Sequence, residues 1–154
     1  MPEQVTFREA GRSDLEVMVS LLAADPLGAQ REQYERPLPE AYITAFATID
    51  ADPNHLLLVC QLDGELAGFF QLSFLPNLSY VGGWRAQIEG VRVAAAHRRK
   101  GLGRLMFEHA IALSREKGCH LLQLTTDKRR PEAVAFYNSL GFVDSHEGMK
   151  LKLD

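Results

Sequence analysis

Four cationic residues and two spaced glycines crowd one short stretch of this 154-residue chain, Arg98-Arg99-Lys100-Gly101-Leu102-Gly103-Arg104. Val91-Arg92-Val93 before it reads as the end of a strand. The apolar spacing after it reads as a helix that opens on the glycines. The start of a helix leaves backbone N–H groups without intrahelical partners at the positive end of the dipole. Such a place suits a phosphorylated ligand. Gly101 and Gly103 let the backbone approach a diphosphate with no Cβ in the way. The same residues also suit an ordinary strand-to-helix turn with a solvated basic face, and spacing alone does not separate the two readings. The stretch has no Gly-Lys-Ser or Gly-Lys-Thr, so it is not a Walker A loop. Met106 stands where the third glycine of the dinucleotide pattern belongs.

Two further residues bear on chemistry. Glu89 stands beside Gly90 in the strand that leads into the loop. Ile88 is apolar at an even position, whereas Val91 and Val93 are apolar at odd ones. Alternate residues of a regular strand share a face, so the change of parity predicts a β-bulge at Glu89-Gly90. The other reading is that Gly90 only weakens the strand. A bulge would splay this strand from its neighbour beside the Gly101 turn, where open α/β sheets bind ligands. Tyr137 is protonated at neutral pH, since a tyrosine ionises near about 10, and could act as an acid. It also fits an apolar helical stripe with Ala133, Phe136 and Leu140. His97, His109, His120 and His146 lack metal-ligand spacing, so no metal is expected. His109 reads as a core histidine.

The elements that must position these residues form one mixed α/β domain, residues 1–154. Val5–Arg8 reads as a strand, and Ser13 with Glu16 as a capping box opening a helix. Leu15, Met18, Val19 and Leu22 form its apolar stripe, and Asp25-Pro26-Leu27-Gly28 stops it. Residues 30–40 read as loop or partly helical, and 40–49 as helix. Strands at 56–62 and 66–75 flank an Asp63-Gly64 hairpin turn. A strand at 85–93 is followed by a helix at 101–117, with Leu102, Leu105, Met106, His109 and Leu113 inward and Gly118 at its end. A strand at 120–125, a helix from Pro131 to Gly141, and one or two strands over 142–153 complete the chain.

Composition narrows the classes. Apolar residues make up 46% and the formal net charge is −3. The first supports a packed core, and the second argues against a dedicated nucleic-acid binder. A basic cluster in an acidic protein suits a small polyanion better than a duplex. Cys60 and Cys119 sit in apolar runs and read as buried thiols in a reducing compartment. No apolar run is long enough for a membrane span, and the first residues lack the pattern of a signal peptide, so a cytoplasmic location is expected.

The loop Arg98-Arg99-Lys100-Gly101-Leu102-Gly103 resembles the (Arg/Gln)-x-x-Gly-x-(Gly/Ala) diphosphate loop of the GNAT N-acetyltransferase superfamily. Ala133-Val134-Ala135-Phe136-Tyr137-Asn138-Ser139-Leu140-Gly141-Phe142 is similar to that family's Ala-x-x-(Phe/Leu)-Tyr-x-x-x-Gly-Phe motif. The two lie about 30 residues apart in a matching order of elements, so the resemblance spans nearly the whole chain. Thr125 to Lys150 is similar to a small bacterial subgroup of unassigned substrate.

The resemblance implies the acyl-CoA N-acyltransferase fold, a splayed central β-sheet flanked by helices. It implies acetyl transfer from acetyl-coenzyme A to an amine of a small molecule or peptide. Backbone groups of Val91, Arg92 and Val93 would pair with the pantetheine arm. Those of Arg99, Lys100, Gly101, Leu102, Gly103 and Arg104, with the Arg98 side chain, would hold the diphosphate. The Val91 amide would polarise the thioester carbonyl. Tyr137 takes the position of the general acid. Glu89 is the candidate base, with an orienting or structural carboxylate as the other reading. Arg130 stands where many members carry an Asn, which leaves its contact with the coenzyme or an acidic substrate open. A non-catalytic acetyl-coenzyme A sensor or regulatory protein is the alternative function. Acceptor walls are expected from 27–42 and 74–87, where Tyr34, Tyr42, Phe74, Tyr80 and Trp84 suit an acceptor, the core or a homodimer contact.

Overall fold

A computed structural model describes residues 4–154. The chain divides into two compact units, residues 1–123 and 124–154. In the first, five strands form one sheet in the order β1-β2-β3-β4-β5. They are β1 (Val5–Glu9), β2 (His55–Leu62), β3 (Glu65–Pro76), β4 (Trp84–Val93) and β5 (Leu121–Gln123). The first three pairings are antiparallel and β4 pairs with β5 in parallel, so the sheet is mixed as expected.

The helices of this unit are α1 (Leu15–Ala23), α2 (Pro26–Arg31), α3 (Glu40–Ala51), a short helical turn α4 (Ser79–Gly82) and α5 (Leu102–Glu116). The apolar stripe of α1 puts Leu15, Met18 and Val19 into one core with Ala10, Phe46, Val59 and Phe69. Phe70 and Leu72, of opposite parity on β3, are fully buried and face the other way, as are Met106 and Phe107 of α5. Each such side chain contributes about 1.5–3 kcal/mol. The two cores on opposite faces hold β4 between them.

The structure corrects several expectations. Ser13 does not cap α1. A 3-10 turn, Arg12–Asp14, precedes the helix, and the Asp14 carboxylate accepts from the Gly11 N–H at 2.7 Å. Asp25-Pro26-Leu27-Gly28 does not simply stop α1 but starts α2. Asp25 accepts from the Gly28 N–H at 3.2 Å, and proline occupies the first turn. On α5 the fully buried residues are Leu102, Met106, Phe107, Ala110 and Ser114, whereas Leu105 is exposed. Cys60 is buried and Cys119 half-buried, both as free thiols.

In the second unit, α6 runs from Pro131 to Ser139. The backbone of Phe142 then donates to the Tyr137 carbonyl at 3.1 Å, and Gly141 at φ +99° turns the chain. The expected strands over 142–153 are not formed. A strand needs a ladder partner, and among the described residues none pairs with this segment. Met149, Leu151 and Leu153 are 94%, 85% and 93% exposed.

Candidate active site

β4 carries a bulge as the parity change predicts, one residue later than the expected Glu89-Gly90, since Glu89 itself is regularly paired. Gln71 of β3 pairs with Glu89 and Phe69 with Arg92. One residue of β3, Phe70, therefore stands opposite two of β4, Gly90 and Val91, which is a β-bulge. Gly90 takes φ +65°, a left-handed conformation that glycine adopts at least cost. The bulge switches the faces as the parity of Ile88 and Val91 required. Glu89 and Arg92 share one face of the sheet, and Ile88 and Val91 the other. Gly68, opposite Val93, has no room for a Cβ, which would lie 2.5 Å from the Arg92 carbonyl.

The β4–β5 ladder runs over only three rungs, Arg85 with Leu121, Ala86 with Leu122 and Gln87 with Gln123. Beyond Gln87 β4 continues for six residues, through the bulge to Val93. The bulge thus lies past the last rung of the parallel pair.

The basic turn follows. Ala95–His97 form a 3-10 turn, Arg99 takes φ +65° and Gly101 φ +76° as the N-cap of α5. The first backbone bond of α5 runs from the Leu105 N–H to the Gly101 carbonyl at 3.2 Å, so Leu102, Gly103 and Arg104 form the open first turn. No acidic residue lies in that turn. Arg98 and Arg99 are exposed. A 15-residue helix, a glycine N-cap and surrounding cations together fit a diphosphate.

The Arg92 side chain faces away from this turn. It is 15% exposed, donates to the Val91 carbonyl at 2.9 Å and lies 3.7 Å from Asp25. Glu89 is exposed and accepts from the Gln87 side-chain amide at 3.0 Å. Gln87 accepts in turn from the Gln123 side-chain amide at 3.0 Å. Neither glutamine stands out in the sequence by type. Period-2 spacing puts Gln87 on the face of Glu89, but Gln123 joins them only through the β4–β5 register.

Tyr137 lies in the second unit, half-buried on α6, with its ring 5.7 Å from Phe136 and 6.1 Å from Phe142. Arg130 is the N-cap of α6, and its N–H donates to the Asp127 carbonyl at 2.9 Å. The side-chain and backbone bonds from Arg129 hold the Asp127 carboxyl well below the usual carboxylate range. His109 is half-buried and stacked on Phe7 at 4.2 Å, and desolvation lowers its pKa. The expected acceptor walls divide. Phe74 is core, Tyr42 donates to Glu32 at 2.9 Å, and Tyr34 and Tyr80 are exposed. Among the described residues no cluster of three or more His, Cys, Asp or Glu is arranged for a metal, and no helix is long and apolar enough to cross a membrane.

The bulged strand, the glycine-opened helix and the mixed sheet are those of an acetyltransferase of the GNAT class, and the family model described as "Acetyltransferase (GNAT) family" matches residues 21–142. The chain belongs to that family. It is similar to streptothricin acetyltransferase of Streptomyces lavendulae, 36% identical over 95 residues, covering 60% of this chain and 46% of that protein. The chain thus spans about half the length of that relative. A structure described as a transcriptional regulator from Bacillus halodurans is 51% identical, with a TM-score of 0.94 over 97% of this chain and 100% of that one. A structure described as a predicted acetyltransferase with acetyl-coenzyme A from Clostridium acetobutylicum shares the fold at 17% identity, with a TM-score of 0.74 over 97% of each chain.

Proposed function

We propose that this protein transfers an acetyl group from acetyl-coenzyme A to a primary amine of a small molecule or peptide. The observation that carries the reading is the pairing of the Gly90 bulge with the glycine-opened start of α5, separated by the short stretch from Val91 to Lys100. The first supplies backbone groups freed from the ladder, and the second a diphosphate seat.

In this reading the Val91, Arg92 and Val93 backbone holds the pantetheine arm as an added strand. Residues Arg98 to Arg104 hold the diphosphate. Acetyl-coenzyme A supplies the activated acyl group when bound. The acceptor nitrogen bonds to the acetyl carbon and the carbon–sulfur bond breaks. Glu89 takes the proton that the ammonium must lose before attack. The Val91 N–H steadies the charge that develops on the carbonyl oxygen. The motif from Ala133 to Phe142 carries the assignment of Tyr137 as the acid that protonates the departing thiolate, and the second proton that the acceptor nitrogen loses as the amide forms restores the Tyr137 hydroxyl. Arg130 is assigned to a phosphate of the coenzyme or an acidic group of the acceptor.

The description of the Bacillus halodurans relative as a transcriptional regulator supports a second reading, a regulatory protein that binds acetyl-coenzyme A without turnover. The deciding experiment is thiol release from acetyl-coenzyme A across a panel of streptothricin, amino sugars, aminoalkylphosphonates and lysyl peptides. Release with one of these above the rate in buffer supports the transferase. Binding with no release from any amine supports the regulator.

A further inference from the structure

Gln123 is the last residue of β5, and Gln87 is its partner in the last rung of the parallel ladder. Their side chains meet at 3.0 Å on the face that carries Glu89. Glu89 is two residues further along β4, on the side of the bulge. The three polar groups therefore form a row that runs from the end of β5 to the candidate base.

The direction of this row is fixed by chemistry. An ionised carboxylate only accepts hydrogen bonds, so the end of the Gln87 amide that faces Glu89 must be its NH2. The Gln87 oxygen then points to β5 and requires a donor there. The Gln123 NH2 is that donor. A carboxylate or an apolar residue at 123 would leave the Gln87 oxygen without one. No other hydrogen bond to Glu89 is present among the described residues, so the row engages one carboxylate oxygen, Oε2, and leaves Oε1 open.

We propose that Gln87 and Gln123 are positioning residues for the transfer reaction. Gln123 sets the amide of Gln87, and Gln87 holds Oε2 of Glu89 so that Oε1 meets the ammonium of the acceptor. This rests on the reading of Glu89 as the base. An exposed glutamate on a strand has several rotamers open to it, and a hydrogen bond that selects one reduces the ordering left to be done when the acceptor arrives. The fork of the sheet provides the anchor, because at its last rung the two strands are still held at ladder spacing.

The competing role is a side-chain clamp that merely ties β4 to β5. The polarity of residue 123 separates the two. Gln123→Glu offers only an acceptor, which turns the Gln87 amide and directs its oxygen at Glu89. Gln123→Lys offers only donors, which preserves the direction. A clamp is served by either. A positioning row is served by the lysine alone.

The test uses the full chain and two readouts. In 15N-glutamine NMR, the Gln87 side-chain resonance is identified by its absence in Gln87→Leu. It is expected to move in Gln123→Glu and in Glu89→Gln, and to stay near its wild-type position in Gln123→Lys. In thiol release with the fastest amine of the panel, Gln123→Glu is expected to lower kcat about 10-fold, the scale of one hydrogen bond to a charged group. The KM for acetyl-coenzyme A stays unchanged. Gln123→Lys keeps kcat within about twofold of wild type, a difference that corresponds to a small fraction of one such bond. In a Glu89→Gln background, Gln123→Glu adds no further loss. If Glu89→Gln lowers kcat but Gln123→Glu and Gln123→Lys behave alike, the row is a clamp and the positioning role is overturned alone. If Glu89→Gln leaves kcat unchanged, the base reading fails and the positioning role fails with it. A Gln87 resonance insensitive to Glu89→Gln overturns the row whatever the kinetics show.

Discussion

The guanidinium of Arg92 lies 3.7 Å from the carboxylate of Asp25, so the strand residue just past the bulge is tied to the residue that caps α2. Both side chains are largely buried, at 15% and 23% exposure. Asp25 thus serves twice, as a cap for the Gly28 N–H and as the counter-charge to Arg92.

Asp25→Ala is expected to lower stability by about 1–2 kcal/mol from the cap alone. Asp25→Asn retains the cap and removes only the charge, so it should lose less. Chemical denaturation of the two variants beside wild type checks the order. Equal losses would place the whole effect in the ion pair.

Acetyl-coenzyme A is expected to stabilise the fold by roughly 2.7 kcal/mol at about 100 times its dissociation constant. Gly101→Val should remove most of that gain. Gly101 takes φ +76°, and a β-branched residue is strained there even though a Cβ would meet nothing within 4 Å. Thermal shift with and without the coenzyme is the measurement. A variant that keeps the full shift would move the diphosphate elsewhere.

The bulge was legible because it leaves a mark on parity. Ile88 and Val91 must both face the α5 side, and only an inserted residue allows it. The glycine-opened helix was legible because its cations and glycines are consecutive. The Gln87–Gln123 contact was not, because residues 36 apart meet only once the strand register is known. Nor was α2, since Asp-Pro-x-Gly serves equally as a stop and as a start. The alternation Met149, Leu151, Leu153 reads as a strand, but the pattern says nothing of a partner, and no ladder forms with it among the described residues.

Arg8 and Asp14 give the pH dependence. The Arg8 guanidinium donates to Asp14 at 2.7 and 2.9 Å. This lowers the Asp14 pKa, with partial burial opposing and the Gly11 N–H assisting. A carboxyl whose folded pKa is depressed adds stability above its unfolded pKa, near about 3.9, and loses it as pH falls through the folded value. Arg8→Met should therefore cost about 1 kcal/mol at neutral pH, since the Arg8 side chain is 39% exposed and screened. The difference from wild type should shrink below about pH 4 as Asp14 protonates in both. Urea midpoints from pH 7 down to acid check it, and a gap that widens toward acid contradicts the sign.

Tyr137→Phe is expected to keep coenzyme binding and lower turnover about 10²- to 10⁴-fold, the usual worth of a positioned acid. The ring contacts with Phe136 and Phe142 do not depend on the hydroxyl and should be kept. Wild-type turnover with unchanged stability would return Tyr137 to a packing role within its unit.

Glu89→Gln separates a base from an orienting charge through the pH profile. An amine acceptor is mostly protonated at low pH and must lose a proton before it can attack. If Glu89 takes that proton, the variant should fall furthest behind wild type at low pH. Raising the pH should close part of the gap, because free amine becomes abundant and needs no base. If the carboxylate only orients a cationic acceptor, the loss should appear as a higher acceptor KM with kcat largely kept. Acetyl-coenzyme A binding is expected to be unchanged in either case, since Glu89 precedes the bulge and the glycine-opened start of α5 proposed for the diphosphate follows it. Profiles that run parallel, with acceptor KM unchanged, would remove Glu89 from both roles and assign the proton to a water held near the Gly90 bulge.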